Sequence, residues 1–184
     1  MNRTIIFLSG FMVPKFVSKT KFVWDDNLWK DYNRIYINSK VPSSDQMVEN
    51  ELLKLIKLIN SYDNVTVAGQ SLGAWWAANL ACRPKSKINK LVMWTPLTDT
   101  SVYPIFNVSN LYYPPYLTAN KNNIGLHKSI VFSANHDLIV PAKYHCLDLI
   151  KSFNAYNYVL NGGHLLQSNH KAGLNFMKDW IEID

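Results

Sequence analysis

Residues 65 to 73 read Val-Thr-Val-Ala-Gly-Gln-Ser-Leu-Gly and run directly into the apolar segment Ala-Trp-Trp-Ala-Ala-Asn-Leu-Ala. A β-branched run that meets a helical composition with no loop between points to a sharp strand-to-helix turn with Ser71 at its apex. A serine hydroxyl is a poor nucleophile until such a turn exposes it and a base takes its proton. The Gly69-x-Ser71-x-Gly73 spacing fits this reading, because Cβ atoms at either flank would collide with the neighbouring strand and helix. Ala68 and Ala74 are small, as crowding at the turn requires. The competing reading is an ordinary strand–helix turn that happens to contain a serine.

Short β-branched or aromatic runs recur at 4–8, 34–37, 64–68, 90–94, 129–133 and 156–160. The segments between them have helical spacing. Over 44–62, Val48, Leu52, Leu55 and Ile59 form a stripe of 3.6-residue period, with Ser44 and Asp45 placed to cap its start. Residues 71–82 are apolar nearly all round, which predicts a buried helix. Residues 141–153, opened by Pro141 in the first turn, and 169–182 predict two more. Strands alternating with helices give an α/β class: a compact, mostly parallel six-stranded sheet flanked by helices, in a single domain over 1–184. Ligands then bind beyond the carboxyl ends of the strands. Gly10, Gly69, Gly73, Gly162 and Gly163 all fall at predicted strand ends, leaving only Gly125 and Gly173 elsewhere.

A hydrophobic content of 48% with 17% charged residues describes a globular chain and excludes disordered and fibrous classes. The net charge of +6 is carried mainly by scattered Lys. The densest group, Lys85, Lys87 and Lys90, is read as solvating a helix end, so nucleic acid is not an expected partner. Cys82 and Cys146 are far apart in apolar contexts and are expected to be free buried thiols. No Cys-x-x-Cys or His-Glu-x-x-His spacing supports a metal site. The apolar N-terminal stretch is short, is broken by Ser9-Gly10 and lacks a small-x-small cleavage site. It is read as a first strand, no run reaches membrane-spanning length, and a cytoplasmic location is expected.

A serine nucleophile needs a base and an acid. When a triad is built on a parallel sheet around such a turn, its members come in the order Ser, acid, His. Asp137, in Ser-Ala-Asn-His-Asp-Leu-Ile-Val-Pro, lies just past a predicted strand, where its carboxylate can hold an imidazole; the alternative is a helix-capping Asp. His164, in Asn-Gly-Gly-His, follows the last strand, and its two glycines let the loop fold back over the turn. His127, His136, His145 and His170 compete with it, His136 most seriously because it adjoins Asp137. Two backbone N–H groups, of Leu72 and Phe11, occupy the positions from which an oxyanion would be held.

Phe7-Leu8-Ser9-Gly10-Phe11, Gly69-Gln70-Ser71-Leu72-Gly73, Asn135-His136-Asp137-Leu138-Ile139-Val140-Pro141 and Gly163-His164 together resemble the compact α/β-hydrolases without a large lid. The likeness is to small serine hydrolases and esterases of the retinoblastoma-binding-protein-9 and YqiA-like type. It covers nearly the whole chain in order and spacing, with one departure: Ser9 stands where many relatives carry His. The resemblance implies a triad of Ser71, Asp137 and His164, no cofactor, and hydrolysis of esters or related acyl compounds by a carboxylesterase-like enzyme.

The stretch from Thr95 to Lys128 lacks periodicity and is rich in aromatics and Pro. Tyr103, Phe106, Tyr112 and Tyr113 are candidates for the wall of an acyl pocket, and the alternative is that these rings simply cover the sheet. Trp75, Trp76 and Trp94 could narrow the same pocket or belong to the core. Asp25-Asp26 is read as a helix start, since adjacent carboxylates point apart and do not form an acid/base pair. The expected partner is a small-molecule acyl substrate. Thioesterase and small-peptide hydrolase chemistry would use the same parts, and a binding protein on a hydrolase scaffold is the alternative from another class.

Overall fold

The computed structural model describes residues 3–10, 27–98, 128–164 and 167–183. Phe11, the Asp25-Asp26 pair, His127 and the aromatic candidates Tyr103, Phe106, Tyr112 and Tyr113 lie outside the described residues.

Six strands, β1 (Thr4–Leu8), β2 (Asn33–Ile37), β3 (Val65–Gln70), β4 (Ile88–Trp94), β5 (Lys128–Ala134) and β6 (Tyr156–Leu160), form one sheet in the order β2-β1-β3-β4-β5-β6. Every pairing is parallel. The chain steps outward from β1 to β2, then crosses to the other side of β1 and continues outward through β3 to β6. The order therefore reverses between β1 and β3, and in open parallel sheets the crevice at that reversal is where ligands bind.

Successive side chains point to opposite faces of the sheet, and because both faces are covered β1, β3 and β5 are buried almost throughout. Ile6, Leu8, Val65, Val67, Leu91, Met93 and Val131 point into one apolar layer, and Ile5, Phe7, Val92, Trp94, Ile130 and Phe132 into the other. The first layer is closed by helices α1 (Asp45–Ile59), α2 (Leu72–Ala81) and α4 (Leu147–Phe153). The second is closed by α5 (His170–Glu182) together with Trp29 and Tyr32. In α1 the predicted stripe Val48, Leu52, Leu55 and Ile59 is the buried face, and Ser44 Oγ accepts the Met47 N–H at 3.2 Å as its N-cap. In α2 every residue is buried. Trp75 and Trp76 are core residues in edge-to-face contact, with Trp76 Nε1 donating to Lys40 O at 2.9 Å.

Two details differ from the sequence reading. The helix expected over 141–153 is divided at Cys146 into α3 (Ala142–His145) and α4, and Pro141 sits at the N-cap, one position before the first turn. Lys90 does not solvate a helix end. It lies in β4, is buried, and its ammonium donates to the carbonyls of Trp180 (3.1 Å), Ile181 (2.6 Å) and Ile183 at the end of α5. The carbonyl end of a helix carries partial negative charge and unpaired acceptors, so a cation there is satisfied without water. Cys82 and Cys146 are free and buried, and burial pushes both thiols up to about 12.

Among the described residues, no helix is long and apolar enough to cross a membrane.

Candidate active site

β3 ends at Gln70, and the next residue, Ser71, has φ 52° and ψ −116°. A non-glycine residue in that conformation is strained, and strain of this kind persists only where surrounding structure enforces it. The enforcement is close backbone packing. A Cβ on Gly69 would lie 2.2 Å from Gly73 O, and one on Gly73 would lie 2.0 Å from Leu8 O and 2.6 Å from Ser9 O. The turn is thus wedged between the start of α2 and the end of β1, at the reversal of strand order. Ser71 N donates to Trp94 O (2.9 Å), and Ser71 O accepts the amides of Ala74 (3.0 Å), Trp75 (3.3 Å) and Leu97 (3.2 Å). The serine hydroxyl makes no capping bond to its own helix. The amides of Leu72 and Gly73 open the helix, where the first N–H groups lack an intrahelical acceptor and carry its positive end.

Asp137 and His164 come from the ends of β5 and β6. His164 Nδ1 and Asp137 Oδ2 are 2.7 Å apart, and both side chains are buried. The other carboxylate oxygen, Oδ1, accepts the amides of Ile139 (2.9 Å) and Val140 (2.7 Å), so the capping alternative and the His-holding reading of Asp137 coexist in one side chain. A carboxylate only accepts, so Nδ1 carries the hydrogen and Nε2 of a neutral His164 has its lone pair free for a proton. No hydrogen bond joins Ser71 to His164 among the described residues. The Asp137 charge also acts on Cys146, where burial and then this carboxylate raise the thiol, so the sulfur stays protonated and is no nucleophile.

The two loops are laced together. His136 N donates to Gly162 O (2.9 Å), Gly162 N to Asn135 Oδ1 (2.9 Å), and Asn135 Nδ2 to Asn161 Oδ1 (3.2 Å). Gly162 has φ 142°, which requires glycine, whereas a Cβ on Gly163 would meet only His136 O at an ordinary 3.7 Å. Of the other described histidines, His136 is exposed on the loop. His145 is buried in α3 with Nδ1 against the amide (3.3 Å) and hydroxyl (3.1 Å) of Thr98. His170 opens α5, and burial lowers its pKa below the usual 6.5.

Some residues of this edge carried no signal in the sequence. Thr95, directly after β4, has φ 41°, and its buried hydroxyl has no partner among the described residues. Nothing about a β-branched residue announces a left-handed conformation. Asn135 and Gln167 are ordinary polar loop residues until their partners are known. Among the described residues, no group of His, Cys, Asp and Glu is arranged to hold a metal ion.

No protein-family model matches the sequence, and no curated protein matches it. Solved structures do. The ydeN gene product of Bacillus subtilis aligns over 99% of this chain and 100% of its own, with TM-score 0.72 at 14% identity. The 2-hydroxy-6-oxo-6-phenylhexa-2,4-dienoate hydrolase of a Rhodococcus strain aligns over 99% and 91%, with TM-score 0.70 at 12% identity. An alpha/beta hydrolase enzyme from the metagenome of Mar Chica lagoon sediments aligns over 99% and 91%, with TM-score 0.63 at 14% identity. With its parallel sheet, its strained serine turn after β3 and these neighbours, the chain has the α/β-hydrolase fold.

Proposed function

We propose that this chain is a serine hydrolase that cleaves carboxylic esters or related acyl compounds through an acyl-enzyme. The observation that carries the reading is the buried Asp137–His164 pair, 2.7 Å apart, on loops at the same sheet edge as a serine in a strained, glycine-wedged turn. Names borne by structural neighbours, an alpha/beta hydrolase enzyme and two fungal esterases among them, support hydrolysis as the reaction class.

In this mechanism His164 Nε2 takes the Ser71 Oγ proton as the oxygen attacks the acyl carbon. Asp137 holds the Nδ1–H tautomer and stabilises the imidazolium. The carbonyl oxygen becomes an oxyanion facing the Leu72 amide at the start of α2, with Phe11 N–H as the proposed second donor; each such donor is worth roughly 3–4 kcal/mol of transition-state stabilisation. The tetrahedral intermediate collapses, Nε2–H protonates the departing alcohol, and the acyl group stays on Oγ. Water, deprotonated by the same nitrogen, then releases the acid and regenerates Ser71. We assign the acyl pocket to Tyr103, Phe106, Tyr112 and Tyr113, whose rings would supply apolar area with little lost entropy.

A fluorophosphonate probe tests the reading. The wild type should be labelled and Ser71→Ala should not, and p-nitrophenyl esters of increasing chain length should give saturable turnover. A folded wild type that is neither labelled nor active would overturn the proposal in favour of a binding protein on the same scaffold.

A further inference from the structure

The segment that carries His164 is held by a second pair of side chains. Gln167 Nε2 donates to two backbone carbonyls, Gly163 O (2.6 Å) and His164 O (2.8 Å). Both partners only accept, so the amide has one orientation and its Oε1 must face the other way. There it meets His170 Nδ1 at 3.1 Å. An amide oxygen only accepts, so His170 carries its hydrogen on Nδ1, and Nε2 is a bare lone pair. That nitrogen is buried without a partner among the described residues, as suits a ring whose charged form is disfavoured by burial. The His170 ring stands edge-to-face against Trp94, 5.2 Å between centroids, and Trp94 is the residue of β4 whose carbonyl accepts the Ser71 amide. A continuous path of contacts therefore runs from the serine turn through Trp94, His170 and Gln167 to the backbone of His164.

We propose that Gln167 and His170 are positioning residues for His164: Gln167 fixes the Gly163-His164 carbonyls, and His170 locks the Gln167 amide in the orientation that does so. The proposal rests on the hydrolase reading for its effect on rate but not for its effect on the imidazole. Asp137 fixes one end of the ring, and the backbone it hangs from must be fixed independently if Nε2 is to meet the serine. Neither Gln167 nor His170 takes a proton from substrate.

The decisive variant is Gln167→Glu, which keeps size and shape and still accepts from His170 but sets a carboxylate oxygen against two carbonyls. Gln167→Met removes the donor without adding charge, in case the first variant does not fold. A loosened near-attack geometry costs on the order of 10²-fold. We expect kcat to fall by that order with KM unchanged, and His170→Phe, which frees the amide to flip, to give a smaller loss of the same kind. In a His164→Ala background either Gln167 variant should cost nothing further, because its effect passes through the imidazole. Two-bond proton–nitrogen NMR spectra give a readout independent of turnover: His164 held as the Nδ1–H tautomer in the wild type, a mixture of tautomers in Gln167→Glu, and His170 as Nδ1–H. An inert wild type with these spectra would sink the hydrolase reading and leave the positioning intact. Unchanged tautomer and rate in both Gln167 variants, or an equal loss in the His164→Ala background, would overturn the positioning.

Discussion

The two halves of the candidate site are held in place by different forces. The serine half is fixed by exclusion: Gly69 and Gly73 let backbone approach backbone to distances at which a Cβ would overlap Gly73 O and Leu8 O, and Ser71 is left at φ 52° because it has nowhere else to go. The histidine half is fixed by attraction. Asn135, Asp137 and Gln167 each hold backbone amides or carbonyls of the β5 and β6 loops, and close contact there is ordinary, as the 3.7 Å clearance at Gly163 shows. Steric wedging belongs to the framework of the sheet and fails with it. A hydrogen-bonded loop fails locally and leaves the sheet standing.

That contrast makes Asp137→Asn the most damaging test for activity. The amide keeps an oxygen for Ile139 and Val140 but turns an N–H toward His164 Nδ1, enforcing the wrong tautomer; by analogy with the serine-protease triad, kcat should fall about 10⁴-fold in a protein that still unfolds cooperatively. Loss of the fold instead would erase the distinction between the halves. Gly73→Ala comes next and strikes the framework. Its methyl collides with β1 backbone, so stability should drop by about 4 kcal/mol or more, or soluble protein should be lost. A urea midpoint near the wild-type value would show that the wedge can relax. Asn135→Ala removes the acceptor of the Gly162 amide at an exposed position, worth about 1 kcal/mol of stability, while esterase activity should fall further than the thermal midpoint implies.

The smallest effect is a pH slope. Burial lowers the His170 pKa in the folded protein below its unfolded value of 6.5. The unfolded chain then binds more protons as pH falls through that value, so this contribution to stability is present above it and is lost on acidification. His170→Phe should flatten the decline in thermal midpoint between neutral and mildly acid pH, and an unchanged slope would mean that His170 titrates alike in both states.

The same contrast explains what could be read from the sequence. Wedging leaves a compositional trace, because only glycine fits: Gly69, Gly73 and the strand and helix around them gave the turn, and the alternation of β-branched runs with amphipathic spacing gave the sheet. The stripe in α1 and its Ser44 cap were equally visible. Lys90 was misread because its composition says charge and its position in a strand says core, and only the carbonyls of α5 reconcile the two. Thr95, Asn135 and Gln167 were silent for a related reason: a polar loop residue acquires meaning from a partner dozens of positions away or from a backbone angle, and neither is written in its type. The break at Cys146 was hidden because no Gly or Pro marks it between Ala142 and Phe153.

Lys90 also bears on how the chain is made. β4 lies in the interior of the sheet, yet its buried ammonium is met by carbonyls about ninety residues further on, at the end of the last helix. During synthesis the central strands emerge long before those acceptors exist, and an unpaired buried cation is among the costlier defects a core can hold. The buried placement of Lys90 is therefore completed only when α5 docks. Closure of the sheet around β4 waits for α5, whose docking ties strand and helix into one cooperative unit.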